Sequence, residues 1–413
     1  MDEPHVTVSR RRLLGTVSAA GAGGMLLGGA GGALTQDAIA GAPPDALSQL
    51  GSATVPFHGT HQAGIVQRAQ AVGHLAAFDL RPGAGRKQAA ALMRRWSAAA
   101  AALTSGREVD DDSEVARDAG PSSLTVTFGF GRTFFTRTGL EAQRPEALAP
   151  LPRFSQDALD AERSDGDLWV QIGADDGPVA FHALRTLQKA AAGTARLRWQ
   201  HTGFNRARGA ATAPRSPRNL MGQVDGTNNP KPSEPDFDER IFVPGGGSPA
   251  WMAHGSYAVV RRIRMLLDDW DGTSRSEQEE VIGRRKSDGA PLSGGPDATE
   301  ETKVDLNARR GGGVAVPADA HVRVAAPETN GGAAMLRRSF SYHDGFREDG
   351  SPDAGLLFIA WQADPLTGFV PVQRKLDSGD ALSRFIRHEA SGLFAVPGGP
   401  AEGEYVGQRL LEG

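Results

Sequence analysis

The run Asp167-Leu-Trp-Val-Gln-Ile-Gly173 reads as a short apolar strand, and what flanks it decides the fold. Downstream, Val179-Ala-Phe-His-Ala-Leu-Arg-Thr-Leu187 opens a helix that ends near Ala192. Asp176 stands where it can cap that helix, and Pro178 falls close to its first helical position. A further strand runs from Ala195 to Phe204. Upstream, His74-Leu-Ala-Ala-Phe-Asp-Leu80 is strand-like, Arg86 to Leu103 is a helix carrying Leu92, Met93 and Trp96, and Leu124-Thr-Val-Thr-Phe-Gly-Phe130 alternates Thr with apolar residues at the period of a strand. The order strand, helix, strand, strand, helix, strand is the split β-α-β plan.

The second half repeats the plan. Tyr257 to Leu266 alternates as a strand, and Ser274 to Ile282 is a capped helix with Glu277 three residues after Ser274. Gly283 to Asp319 is rich in Gly, Pro and charge and reads as a long functional loop. Gly355 to Gln362 is a strong strand, Ala381 to Arg387 a helix, and Gly392 to Val396 a last strand. Asn205 to Asn219, rich in Arg, Ala and Pro, joins two similar α+β halves, expected at 41–218 and 219–413. Their sheets can pack on one another or on helices.

A chain of 413 residues is too long for one ordinary core. Its net charge of −4, with acids and bases interspersed, excludes the strongly basic face of a nucleic-acid binder. There is no cysteine, so neither a disulfide nor a thiolate site is available, and any metal must be held by His, Asp, Glu or a macrocycle. The first forty residues differ in kind. Ser9-Arg-Arg-Arg-Leu-Leu14 precedes an Ala/Gly/Leu stretch from Gly15 to Leu34, and Ala38-Ile-Ala40 supplies a small-residue cleavage pattern. Residues 1–40 therefore read as a signal peptide of the twin-arginine type; an N-terminal anchor is the alternative, weakened by its many glycines. Twin-arginine export carries folded cargo, which makes a seated cofactor a live expectation. No later stretch reaches the length of a membrane helix.

One loop candidate stands out. Asn219-Leu-Met-Gly-Gln-Val-Asp-Gly-Thr-Asn-Asn-Pro230 holds a single carboxylate, Asp225, between Gly222 and Gly226, and glycines there allow a flat ligand to approach the backbone. The same residue types also make ordinary turns. The Gly-x-x-Asp-Gly spacing recurs at Gly173 to Gly177, in the helix-cap context of Asp176, so the pattern is weak alone. No His-x-x-His, His-Glu-x-x-His, Gly-x-Ser-x-Gly, phosphate-loop or Gly-x-Gly-x-x-Gly motif occurs. His321, in Asp319-Ala-His-Val-Arg-Val-Ala-Ala-Pro327, reads by itself as a loop histidine, and Arg337-Arg338 as a solvated strand end. Spacing does not unite the three.

Taken together, the chain resembles the dye-decolourising haem peroxidases of the secreted, twin-arginine type. The likeness runs through His61–Ile65, Leu124–Gly131, Asp167–Gln171, Asn219–Asn228, Gly255–Arg264, Arg285–Leu292, His321–Ala325, Met335–Arg338 and Asp353–Phe358, in family order. It implies two ferredoxin-like domains with haem b in the C-terminal one, and it selects Asp225 over Asp176. His321 is then the axial ligand of the haem iron, Asp225 the acid/base and Arg337 the distal arginine. Gly226, Thr227 and Asn228 line the haem, and Pro327 follows the ligand segment. Two positions depart from the family: Ser339 stands where some relatives carry Asn, and Ala326 replaces another Asn.

The resemblance also implies peroxide reduction. A carboxylate can take a proton from the near oxygen of peroxide and return it to the far one in mild acid, where a histidine would already be protonated, so an acid-shifted optimum is expected. An always-charged arginine would stabilise the charge on the departing oxygen. Dyes, phenols or metal ions are the expected one-electron donors; bulky ones could be reached through surface Trp or Tyr, with Trp361 and Tyr342 nearest the haem segments in sequence, although core packing is the commoner role of such residues. No nucleic acid and no membrane span after signal removal are expected, with a homo-oligomer left open. Haem-iron handling as in a deferrochelatase, a non-catalytic haem carrier and a haem-free binding module are the rival readings.

Overall fold

In the computed structural model, residues 46–110, 112–207, 210, 216–247 and 249–413 are described. The expected signal peptide at 1–40 lies outside them.

Six elements build the N-terminal half: β1 (Val72–Leu80), α1 (Arg86–Thr104), β2 (Thr125–Gly131), β3 (Leu168–Ala174), α2 (Gly177–Ala191) and β4 (Ala195–Phe204). Their sheet runs β4-β1-β3-β2, every pairing antiparallel. The cap of α2 is the expected one, with the Asp176 carboxylate accepting from the Val179 N–H at 3.0 Å. In the C-terminal half the strands are β5 (Ser256–Met265), β7 (Phe340–Phe346), β8 (Pro352–Gln362) and β9 (Ile386–Val396), with α3 (Arg275–Ile282), the one-turn α4 (His321–Val324), the two-residue β6 (Leu336–Arg337) and α5 (Phe369–Gly379) between them. This sheet runs β9-β5-β8-β7. Fourth strand, first, third, second is the order in both halves, so each is a ferredoxin-like sheet, and the α+β expectation holds.

The two sheets also join. β9 pairs with β2 through Phe394↔Gly131 and Ala395↔Phe130, and β4 meets β7 at Phe204↔Ser341. Eight strands therefore form a ring around one interior core that includes Leu75, Trp169, Trp199, Phe340, Tyr342, Ile359, Trp361 and Phe394. Side-chain alternation along each strand does the sorting. On β2, Thr127 turns inward and its hydroxyl donates to the Ala63 carbonyl at 2.6 Å, while Val126, Phe128 and Phe130 join the core under α1 and α2. Gly73 on β1 is required by packing: a Cβ there would lie 2.6 Å from the Phe340 ring.

One local reading changes, one strand was not foreseen, and the long loop holds. The helix expected over Ala381–Arg387 is a 3₁₀ turn over Ala381–Phe385, and β9 begins at Ile386; the real helix, α5, precedes it. β7 carries no clear apolar alternation beyond Tyr342, and it holds through pairing with β8. The stretch Gly283–Asp319 does remain largely irregular, with one two-residue ladder between Arg309–Arg310 and Gly313–Val314.

Candidate active site

On the outer face of the C-terminal sheet, Arg261, Ile263 and Met265 of β5 and Leu356 and Phe358 of β8 floor a cavity of about 1820 Å³, the space at its mouth included. Asp225, Gly226, Thr227, Asn228, His321, Pro327 and Arg337 all line it, as do Ser339 and Ala326. Residues spread over more than a hundred positions are thus brought to one place.

The loop bearing Asp225 is held from within. The Asn219 side-chain carbonyl accepts from the N–H groups of Met221 (3.1 Å) and Gln223 (3.3 Å), and its amide donates to an Asp225 carboxylate oxygen at 3.2 Å. The Asp225 N–H is bonded to the Pro217 carbonyl at 2.8 Å. Gly222 (φ 76°) and Gly226 (φ 90°) take the left-handed conformations that let the chain double back on either side of the carboxylate. Below the loop, the Trp270 indole donates to the Met221 carbonyl at 2.9 Å.

His321 opens α4. Its Nδ1 lies 2.8 Å from Oδ2 of Asp380, whose other oxygen caps the following 3₁₀ turn by accepting from the Leu382 N–H at 3.0 Å. A carboxylate partner fixes the proton on Nδ1 and leaves the Nε2 lone pair for a metal; among the described residues no hydrogen bond engages Nε2. Removal from water pulls the imidazole pKa down, but the charge and hydrogen bond of Asp380 outweigh it and leave it raised. Asp225 and Arg337 are close enough to act on the same ring electrostatically, in opposite directions.

Arg337 comes from β6. Its Nε donates to Asn229 Oδ1 at 3.2 Å and its Nη2 to the Thr227 carbonyl at 2.7 Å. Among the described residues it forms no ion pair, and burial lowers its pKa against the pull of Asp225. Arg284 lines the same cavity; burial, then the charge of Arg337, pushes it down to about 10.

Asn219, Asp225, Gly226, Arg337, Ser339 and Leu356 also line a second cavity, whose walls add Arg68, Arg206, Arg218 and Arg338, whereas His321 lines only the first. Asp225 and Arg337 therefore stand where the two spaces meet, and the second space, with several arginines and one carboxylate, favours anions.

The donor set fits haem. The His321 imidazole offers its Nε2, a second imidazole, His388, lines the same cavity with its Nδ1 unpartnered among the described residues, the walls are more apolar than polar, and Arg284 and Lys303 provide cations for the carboxylates of a porphyrin. Asp176, the competing carboxylate, is a helix cap far removed in role. One expectation is corrected, and for the aromatics the core-packing reading holds. Arg338 is not a solvated strand end but buried, its Nε donating to the Gln67 carbonyl at 2.8 Å. Trp361 and Tyr342 are not surface residues: both are at 0% exposure inside the ring, and every other Trp and Tyr is buried as well. Three partners escaped the sequence reading, namely Asp380, Asn229 and Arg284. Asp380 lies 59 residues from His321 with no local signal, whereas Asn229 sat inside the quoted loop and could have been weighed there.

Fold and site together define a haem-dependent peroxidase. Comparison with known proteins gives the family: residues 62–205 match the Dyp-type peroxidase N-terminal model and 216–401 the C-terminal one. The dye-decolorizing peroxidase of Thermobifida fusca (strain YX) is 46% identical over 98% of this chain and 97% of its own length. The structure of ferric DtpA from Streptomyces lividans is 69% identical, with a TM-score of 0.88 over 90% of this chain and 100% of that one. A deferrochelatase of Yersinia pseudotuberculosis serotype I (strain IP32953) is 35% identical over 100% of this chain and 96% of its own. The chain belongs to the Dyp-type peroxidase family.

Proposed function

We propose that the protein reduces hydrogen peroxide and oxidises dyes, phenols or comparable one-electron donors, with His321 as the residue that would hold the iron of haem b. The observation that carries this reading is the meeting of Asp225 and Arg337 at the junction of the two cavities. Bound haem would supply the redox chemistry that couples two-electron reduction of peroxide to one-electron oxidation of donors. Asp225, held by Asn219, takes the proton from the near oxygen of peroxide and returns it to the far oxygen. Arg337 stabilises negative charge on the oxygen that leaves, and among the described residues no carboxylate hydrogen-bonds its charge. Gly226, Thr227, Asn228 and Pro327 line the macrocycle. With no Trp or Tyr exposed, a bulky donor would give up its electron through the arginine-lined second cavity or across the protein interior.

We further propose the partition 1–40, 41–218 and 219–413, with export by the twin-arginine route and residence in the cell envelope or outside it. This rests on the Arg-Arg-Leu-Leu start of the apolar stretch. Among the described residues no helix is long and apolar enough to cross a membrane.

A second reading, iron release from haem, is favoured by the deferrochelatase likeness along the whole chain. Incubating haem-loaded protein with peroxide and a phenolic donor, and following donor oxidation against the appearance of iron-free porphyrin, separates the two. Donor turnover with intact haem supports the peroxidase; porphyrin without turnover overturns it.

A further inference from the structure

Arg337 is a half-buried cation, and among the described residues the groups that hydrogen-bond it are all neutral. Asn229 supplies most of them. Its Oδ1 accepts from both the backbone N–H (3.1 Å) and the Nε (3.2 Å) of Arg337, while its Nδ2 donates to the Arg337 carbonyl at 2.8 Å. The Thr227 carbonyl takes the Nη2 proton at 2.7 Å. Contrast Arg262 in the same half, which meets Asp344, Asp353 and Glu389 and is neutralised by them.

We infer that Asn229 is a positioning residue for the peroxide reaction: it fixes the Arg337 guanidinium beside Asp225 and, being an amide, leaves the arginine's charge undiminished. The inference rests on the peroxidase reading of the cavity.

Chain geometry supports it. Asn228 adopts a left-handed conformation (φ 60°), which turns Asn229 back toward β6. A Cβ on Gly226 would sit 3.7 Å from the Asn229 Nδ2, so the amide packs against the residue that follows Asp225. The acid/base and the arginine are thereby parts of one five-residue piece, Asp225 to Asn229, clamped to β6. A carboxylate of the same shape at position 229 would keep the acceptor and cancel the charge. An alanine would keep the charge and lose the position. Those two failures differ, and the difference is measurable.

The test uses the full, haem-loaded chain and two readouts. One is the bimolecular rate of the peroxide step by stopped-flow absorbance between about pH 4 and 8; the other is the affinity of the ferric protein for fluoride, an anion that Arg337 would stabilise. Asn229→Ala is expected to slow the peroxide step roughly 10- to 100-fold and to weaken fluoride several-fold, with haem absorbance and donor KM unchanged. Asn229→Asp is expected to be slow near neutrality and to recover as pH falls, because the protonated acid mimics the amide. A merely structural asparagine would not produce that recovery.

Rates and fluoride affinities within about twofold of wild type in Asn229→Ala overturn the inference. If that variant fails to take up haem, Asn229→Asp decides: a neutral-pH loss with acid recovery supports the clamp, and a pH profile identical to wild type refutes it. If the wild-type protein shows no peroxide step at all, the functional reading falls, while fluoride still tests the clamp by itself.

Discussion

Nδ1 of His321 and Oδ2 of Asp380 lie 2.8 Å apart, joining two segments whose backbones are also tied by the Ala381 N–H to Asp319 carbonyl bond at 2.9 Å. The carboxylate sets the tautomer and makes the opposite nitrogen a better ligand. Asp380→Asn keeps the oxygen that caps the Leu382 N–H, removes the charge, and puts an amide donor where Oδ2 accepts the Nδ1 proton. Haem affinity is expected to fall roughly 10- to 100-fold, and the iron potential to move in the positive direction. Haem titration and spectroelectrochemistry check this; an unchanged affinity with an unchanged potential would show that Asp380 serves only as a cap.

Asp225→Asn and Arg337→Leu separate a catalyst from a carrier. Loss of a general acid/base costs about 10²- to 10⁴-fold, and loss of a charge stabiliser about 10²- to 10³-fold. Both variants are expected to load haem normally and to lose peroxide reactivity by those factors. Stopped-flow measurement with peroxide decides, and full reactivity in either variant removes that residue from the mechanism. The wild-type optimum should lie in mild acid; a rate that climbs steadily to pH 8 and beyond counts against Asp225 as the base.

Acid stability follows from two histidines remote from the haem ligand. Burial lowers the His74 pKa from 6.5 to about 4, and burial with the charges of Arg163 and Arg262 lowers that of His201 from 6.5 to about 3. Folded pKa values below the unfolded ones mean that the unfolded chain binds more protons as pH drops. Stability from each is therefore full above pH 6.5 and is lost as pH falls toward the folded value. For His74 the two-and-a-half-unit gap corresponds to roughly 3 kcal/mol in the acid limit. His74→Asn should flatten the Tm profile between pH 6.5 and 4; an unaltered acid limb would show that His74 titrates normally in the folded protein.

Inside the ring, Tyr342 and Trp361 make opposite predictions. Among the described residues the buried Tyr342 hydroxyl has no hydrogen-bond partner, and it lies beneath the Arg262 guanidinium at 3.9 Å from the ring centre. Deleting an unsatisfied buried hydroxyl is close to neutral, so Tyr342→Phe should change unfolding free energy by less than about 1 kcal/mol. Trp361, packed on Trp169 at 5.9 Å, should cost about 3–5 kcal/mol when cut to Ala. Denaturant titration measures both. A large loss in Tyr342→Phe would reveal a partner for the hydroxyl.

Much of the fold could be read from local signals because its strands are long and apolar. Leu168–Ala174 and Ser256–Met265 announce themselves, and α2 is bracketed by the Asp176 cap. What failed lay where tertiary pairing overrides local preference. Ile386 and Arg387 read as the end of a helix begun at Ala381, but β5 recruits them into a strand. The site was legible only in fragments. Asp225 sat in a glycine-framed loop that shares its spacing with an ordinary helix cap, and nothing local marked His321. Asp380 could not be found at all, since the contact that gives it meaning joins positions 59 apart. Burial of Trp361 and Tyr342 depends on the ring of eight strands, which emerges only when both sheets close on each other.

The measurement closest to the centre of this account is a haem titration of the wild-type chain against His321→Ala, followed by absorbance. Wild type should take up one haem per chain tightly, with a sharp Soret band that fluoride perturbs, and His321→Ala should lose that tight site and its spectrum. Equal affinity and an identical spectrum in His321→Ala would place the iron on another side chain and contradict the account.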